Sequence, residues 1–507
     1  MNVKEMNLTP KTSIVLSLGD IERAGDLSRK QILVRPPSAS KQSPLAFYAT
    51  NIVGIPDLPQ GTIGLSSFVM KRLGVVNGGK ADVNIELRSP PDSYNLIKKR
   101  MQNQALNKAE IDAIIADVVN GRLSTLEKEA FVLSQYYQQY SMDEVEYLCR
   151  AIADTGETVD FNGVAADKHS LGGVPGNKVS LLLVPILAAA GLLIPKTSSR
   201  AITSASGTAD TVEALGCRVA FKADEIIEIT KTTGGLICWG GALNLAPADD
   251  ILINDVEFPL GINPRSMMMA SIMAKKKAFG IEMMVLDVPT GKGCKVGTVE
   301  EAQVLSRAFS ELGRRLGIRV ECGITFGNLP IGHTVGPALE AREALSALMN
   351  PKDASNSLVE KSTALSGILL EMVGKALRGQ GQARAREILF SGQAYKKMQE
   401  IIEAQEGDPA IKPADISVGG YTFDYLASSG GWIVEIDNNA VTRIARAAGA
   451  PTDKGAGLEF LKKKEAVKAG ETVFRIFANS EEKIREAQAI AAKTNPVTIE
   501  GMLLGRI

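Results

Sequence analysis

The chain is poor in the residues that build metal centres and disulfide frames. Of its 507 residues only 2 are histidine and 5 are cysteine. Cys149, Cys217, Cys238, Cys294 and Cys322 make no CxxC pair and keep no regular spacing, which reads as reduced thiols in a reducing compartment. No Cys or carboxylate cluster accompanies His169 and His333 at ligand spacing, so no metal is expected. Neither sign of charge is in excess: 57 basic residues balance 57 acidic ones. No overall field therefore draws nucleic acid or an anionic membrane, and a polyanion must be caught at a local site. Long hydrophobic runs are missing too. The longest, 179–194, contains Ser180, Pro185 and Gly191, falls short of the roughly 20 residues of a membrane span, and reads as a buried core helix. The N-terminus MNVKEMNLTP lacks the basic and apolar halves of a secretion signal, which leaves the cytoplasm as the expected location.

What is present is an ordinary globular composition, 45% hydrophobic and 22% charged, in a chain long enough for about three or four domains. Residues 1–88 carry strand-like runs at 13–18, 31–34 and 81–87 around a short helix that Ser66 caps, with Phe68, Val69 and Leu73 on one face. They predict a small β-rich, barrel-like domain. In 89–160, Ile111, Ile114, Ile115, Val118 and Val119 recur at helical spacing and predict a helical domain, joined by about 245–280. From 161 to 415 short apolar strands alternate with amphipathic helices, which predicts a mostly parallel sheet covered on both faces. Residues 416–507 predict an α+β domain, so the fold class is multi-domain α/β.

Chemistry-bearing residues concentrate in a few loops. DKHSLGGVPGNKVS (167–180) lies between a strand and the apolar helix. Its glycines, Ser170 and Ser180 let donors converge on an anion at a helix N-terminus, and Lys168 supplies charge. It is not a Walker A loop, because Asn177 and Val179 stand where that motif needs Gly and Ser or Thr; the alternative is a purely structural turn. KTSSRAITSASGTAD (196–210) is a second strand-to-helix loop loaded with hydroxyls, and two such loops at consecutive strand ends line one crevice. On the helix within 263–277, Ser271 and Lys275 share a face, although the run Lys275, Lys276, Lys277 taken alone reads as a solvated face and the neighbouring methionines as core. Lys292 and Lys295 stand on the Gly-rich loop PTGKGCKVGT (289–298), either to meet a phosphate or simply to face water.

The segments DKHSLGG, TSSRAITSASGTADTVEALG, ASIMAKKKAFG and GGWIVEIDNNAVTRIARAAGAPTDKGAGLEF, in this order, resemble the pyrimidine-nucleoside and thymidine phosphorylase family, and within it the archaeal AMP phosphorylases. The resemblance runs from about Leu96 to the C-terminus. It implies that Lys168, Ser170, Ser180, Ser198 and Thr208 hold inorganic phosphate, that His169 and Arg200 take part in catalysis, and that nucleotide contacts come from Gly173, Ser199, Arg200, Ala201, Ile202, Thr203, Ser204, Ser271, Lys275 and Lys295. Two departures stand out. The stretch 249–262 has no counterpart of the pyrimidine enzymes' base-binding Arg, and Asn263 occupies the position of the Asp proposed as proton donor to the leaving base. Asp255 or His169 is then a substitute donor, and Asn263 can alternatively be a helix cap before Pro264.

The resemblance implies phosphorolysis of a nucleoside 5′-monophosphate, AMP with CMP and UMP, to base and ribose 1,5-bisphosphate. Inorganic phosphate is a substrate, and no cofactor, nucleic acid or membrane partner is expected. A homodimer or larger homo-oligomer is expected, with a role in assembly for the N-terminal unit and, in part, for the C-terminal domain. The alternatives are a phosphorylase of free nucleosides and a non-catalytic nucleotide sensor.

Overall fold

The computed structural model describes residues 1–8, 13–25, 27, 30–37, 46–49, 51–87, 91–201 and 204–501. The domain boundary expected at 88–89 lies outside them, as do Ile202 and Thr203. The chain divides into two compact units, Met1–Thr158 with Asn244–Phe279, and Val159–Leu243 with Gly280–Ile507.

The first unit begins with two small sheets. Asn2–Glu5, Thr62–Leu65, Ile14–Ser17 and Ile52–Ile55 form one, in that order, and Phe47–Ala49, Lys30–Arg35 and Asp82–Leu87 the other. Their shared core holds Val3, Ile14, Leu16, Ile32, Val34, Phe47 and Ile63. The helix Ser67–Leu73 starts where expected, with Ser66 Oγ accepting from the Val69 N–H at 3.2 Å. The barrel expectation needs refining: among the described residues the strands make these two sheets and no closed barrel.

Helices follow because their starts are written in the sequence. Lys108–Val119, Thr125–Tyr137 and Met142–Ala153 each open with a capping box, Asn107 with Glu110, Ser124 with Glu127 and Ser141 with Glu144, which satisfies N–H groups that the first turn leaves free. The returning segment adds Pro247–Leu252, a π-helical turn Ile253–Glu257, and Arg265–Ala278. Met267, Met269 and Met273 are core, and Lys276 is buried rather than part of a solvated face.

In the second unit the strands Arg319–Phe326, Ile281–Thr290 and Ala165–Ser170 pair in parallel, in that order. A parallel bridge from Ala165 to Leu193 leads on to the parallel pair Ile194–Ser198 and Gly235–Trp239. The sheet register aligns Lys168 with Val285, and Ser170 with Asp287. The helix Val179–Ala189, apolar on all sides, is buried almost throughout, as such a sequence requires. It packs on Asn356–Met372, and that helix in turn packs on the strand Ile281–Thr290. At the C-terminus an antiparallel sheet takes Thr334–Val335 as one edge beside Gly457–Phe460, Thr472–Ala478 and Tyr421–Leu426, so the α+β part is stitched into this unit by strand pairing. No described helix is long and apolar enough to cross a membrane.

Candidate active site

Within the second unit, the end of the strand Ala165–Ser170 delivers Lys168 and Ser170, two residues apart, to one face of the sheet, where the neighbouring strand presents Asp287. Ser170 Oγ donates to Asp287 Oδ2 at 2.8 Å and accepts from Asn177 Nδ2 at 3.2 Å and from the Gly172 N–H at 3.3 Å. The hydroxyl thus ties the Gly-rich loop to the sheet. Asp287 Oδ1 accepts from Thr325 Oγ1 at 2.6 Å, and Lys361 and Lys168 approach Oδ2 at 3.1 and 3.9 Å. Burial by itself would raise the Asp287 carboxyl, but the charges of Lys361 and Lys168 together with the hydrogen bonds from Thr325 and Ser170 hold it below the usual carboxylate range. Burial pushes the Lys168 ammonium down to about 8, with Asp287 opposing and Lys361 and Lys196 adding to the fall. Lys196 in turn lies 3.6 Å from Asp167.

The loop is made possible by glycine. Gly172, Gly173 and Gly176 have φ of 83°, 91° and 72°, a region that other residues occupy at a cost. A Cβ on Gly173 would fall 3.0 Å from Cys294 Cα and 3.1 Å from Lys295 N, so the loops 170–177 and 291–296 touch backbone to backbone. Lys295 is exposed on the second of them, and on the same loop Lys292 pairs with Glu435 at 2.5 Å. Ser180 is buried in the first turn of Val179–Ala189. Lys178, the neighbour that resembles a loop lysine in sequence, is turned into the core, where it donates to Ile331 O, Thr334 O and Glu343 at 2.9, 3.0 and 2.8 Å.

The hydroxyl-rich loop is organised by Asp210, whose Oδ2 accepts from the N–H groups of Ala201 and Gly207 at 2.8 and 2.9 Å. Ser198 ends its strand and donates to Ser199 O at 3.1 Å, Ser199 is exposed, and Thr208 is the first residue of Thr208–Ala214. Ser204 O accepts from Arg446 at 3.0 Å. Arg200 forks onto Glu213 at 2.7 and 2.5 Å and lies 4.8 Å from the Trp239 ring centroid. The Glu213 bond and charge raise its guanidinium further, so in this arrangement Arg200 braces the loop with its charge already matched. His169 is intermediate in exposure and alternates to the sheet face opposite Lys168 and Ser170.

In the first unit, Ser271 and Lys275 converge on one buried carboxylate. Ser271 Oγ donates to Asp249 Oδ2 at 2.8 Å, and Lys275 Nζ lies 2.7 Å from Asp249 and 3.4 Å from Asp250. Burial opposes the charge on Lys275, but the two aspartates raise it above the usual lysine range. Asn263 is exposed, and the helix Arg265–Ala278 begins on Pro264 with no side-chain cap bond, so the cap reading of Asn263 does not hold. Asp255 is buried against Lys128 in an ion pair, a poor position for a proton donor to substrate. Among the described residues no group of three or more His, Cys, Asp and Glu side chains could hold a metal.

Asp287, Lys361 and Thr325 carry no motif in the sequence, and Asn177 is read there only as the residue that breaks a Walker A pattern. The available signal for Asp287 was one acid in the apolar strand MMVLDVPT, and for Lys361 one lysine on a helix face shared with Leu358, Ala364, Leu365 and Ile368. The arrangement offers fixed donors and buried positive charge for an anion, which is the equipment for holding phosphate during group transfer.

Comparison with known proteins matches this anatomy. Residues 94–156 match the helical bundle domain of the glycosyl transferase family, residues 162–395 its a/b domain, and residues 432–498 the pyrimidine nucleoside phosphorylase C-terminal domain. The anthranilate phosphoribosyltransferase of Thermus thermophilus shares the fold, with a TM-score of 0.52 at 20% identity over 61% of this chain and 99% of its own. Fold and domain order define a glycosyl transferase of the phosphorylase class. The AMP phosphorylase of Thermococcus kodakarensis is 51% identical over 460 residues, 90% of each chain. That of Methanosarcina barkeri is 52% identical over 89% of this chain and 88% of its own, and that of Methanospirillum hungatei 44% identical over 97% and 94%. The chain belongs to the AMP phosphorylase family.

Proposed function

We propose that the protein phosphorolyses AMP, with CMP and UMP as further substrates, giving the free base and ribose 1,5-bisphosphate. The observation that supports this most is the anion loop: Lys168, buried and cationic, beside Ser170 at a strand end, on a chain half identical to AMP phosphorylases over nine-tenths of its length. Phosphate held there by fixed donors attacks the anomeric carbon as the glycosidic bond to the base breaks. Lys168 is the principal phosphate cation, helped by Ser180, Ser198 and Thr208, while Ser170 fixes the loop. Lys295, exposed on the loop that abuts Gly173, reads the 5′-phosphate. Ser271 and Lys275, oriented by Asp249, contact base or sugar. No cofactor takes part. Base release from AMP, adenosine, uridine and thymidine, with and without phosphate, tests the reading, and a preference for a free nucleoside would replace it with a nucleoside phosphorylase.

Asn263 supports a second reading, a nucleotide sensor, because an exposed amide in place of the family's Asp cannot transfer a proton. Tight AMP binding without phosphate-dependent base release would select it. We also propose assembly into dimers or larger particles; an apolar groove of about 360 Å³ lined by Met101, Leu126, Leu133 and Tyr137, with Leu126 and Tyr137 strongly exposed, offers a surface for it.

A further inference from the structure

Lys361 is out of character with its helix. On Asn356–Met372, Leu358, Val359, Leu365 and Leu369 all enter the core, and the Lys361 side chain is only 8% exposed. An ammonium is retained in such a place only when it is paired and hydrogen-bonded. Its partners are Asp287 Oδ2 at 3.1 Å and Thr325 Oγ1, to which it donates at 3.0 Å. Lys168 reaches the same Asp287 oxygen only at 3.9 Å. Two cations therefore share one carboxylate, and the nearer one stands outside the Gly-rich loop.

We propose that Lys361 is a positioning residue for phosphate: by neutralising Asp287 it leaves the charge of Lys168 free for the anion. The proposal rests on the reading of Lys168 as a phosphate ligand and extends it to a residue that carries no loop motif. Asp287 is needed structurally, since it accepts from Ser170 and Thr325 and so joins the Gly-rich loop to two strands. A bare carboxylate at that point would capture Lys168 and repel an incoming dianion, because charges a few ångströms apart and screened from water interact strongly. Lys361 cancels that charge from behind, so the net charge of Lys168, Lys361 and Asp287 is that of one cation. The other charged groups facing Lys168 are Lys196 and Asp167, which oppose each other at 3.6 Å.

The test is the Kd of inorganic phosphate for the full chain, measured by titration calorimetry across pH, which does not depend on turnover. Lys361→Met is expected to weaken phosphate binding about tenfold or more, as loss of a charge-assisted arrangement does. It should also move the alkaline limb of binding to higher pH, because Lys168 loses a like charge and gains an unopposed carboxylate. A packing defect alone would not move that limb upward. Lys361→Arg, which keeps the charge, should stay within about threefold of the parent, and Lys361→Met combined with Asp287→Asn, whose amide oxygen can still accept from Ser170, should bind clearly more tightly than Lys361→Met alone, because cation and anion leave together. An unchanged Kd in Lys361→Met, or a double variant as weak as the single one, would overturn the proposal. If Lys361→Met does not fold, the other two variants decide: losses well under about tenfold in both support it, and a loss of about tenfold or more in either overturns it. Lys168→Ala is the control; unchanged phosphate binding there removes the cradle reading itself, whereas weakened binding there beside an unchanged Lys361→Met removes only the role of Lys361.

Discussion

Ser170 donates its one hydroxyl proton to Asp287, its register partner on the adjacent strand, at 2.8 Å. With Asn177 and Gly172 donating to the same oxygen, Ser170 pins a loop, and in the proposed function Lys168 is the residue that meets the anion by charge. Lys168→Ala is therefore expected to raise the phosphate KM alone, by about 5- to 150-fold, the worth of one charge-assisted bond. Ser170→Ala should raise the phosphate and AMP KM together, because the loop that carries Gly173 shifts. Steady-state rates with each substrate varied separately distinguish these patterns.

Phosphate use should fail at alkaline pH. Lys168 has its pKa lowered to about 8 by burial, so its charge is complete well below that pH and is lost as pH rises through it. The phosphate KM is expected to climb above about pH 8 and to lose that limb in Lys168→Ala. A profile with the same limb in both proteins would assign it to another group.

Gly173→Ala probes the contact between the two loops. At φ 91° with backbone atoms 3.0 and 3.1 Å from the added carbon, it must displace either the Gly-rich loop or Cys294 and Lys295, at a cost of roughly 1–3 kcal/mol. AMP binding should weaken by a factor in the tens, along with Lys295→Ala, while adenosine is little affected by the latter. Equal losses for AMP and adenosine in Lys295→Ala would show that this lysine reads no phosphate.

The Lys128 and Asp255 pair, buried in the first unit, belongs to stability. Lys128→Met removes the lysine from a buried ion pair, which typically costs about 3–5 kcal/mol, and urea unfolding should show a loss of that size. Asp255→Asn should destabilise without removing an acidic limb from the rate profile.

Much of this is legible in the sequence where local chemistry decides the structure. Ser66 announces a helix that forms as read, the spacing from Ile111 to Val119 announces another, and the alternation from 161 onward gives the parallel strands. The glycines and Lys168 mark the anion loop for the same reason: backbone geometry and charge are properties of a short segment. What is not legible depends on pairing across the chain. Lys361 finds Asp287 from another helix, Arg200 finds Glu213, and Asp255, open to reading as an acid, finds Lys128. Asn263 reads locally as a cap because Asn before Pro is a good helix start, yet the helix takes no side-chain cap there.

On the proposed reading, Asn263 limits turnover. The leaving base needs a proton, and general acid help is commonly worth roughly 10²- to 10⁴-fold. An exposed amide that caps nothing is free to be exchanged, so Asn263→Asp is expected to raise AMP turnover at least about tenfold and to add an acidic limb to the profile. Unchanged turnover in a folded variant would place the acid elsewhere.

The most direct measurement is base release from AMP by the purified full chain, with phosphate present and absent, beside adenosine under the same conditions. The expected result is adenine formed from AMP only when phosphate is present, ribose 1,5-bisphosphate formed in equal amount, and adenosine a poor substrate. Faster release from adenosine, or AMP bound without any phosphate-dependent release from it, would contradict AMP phosphorolysis.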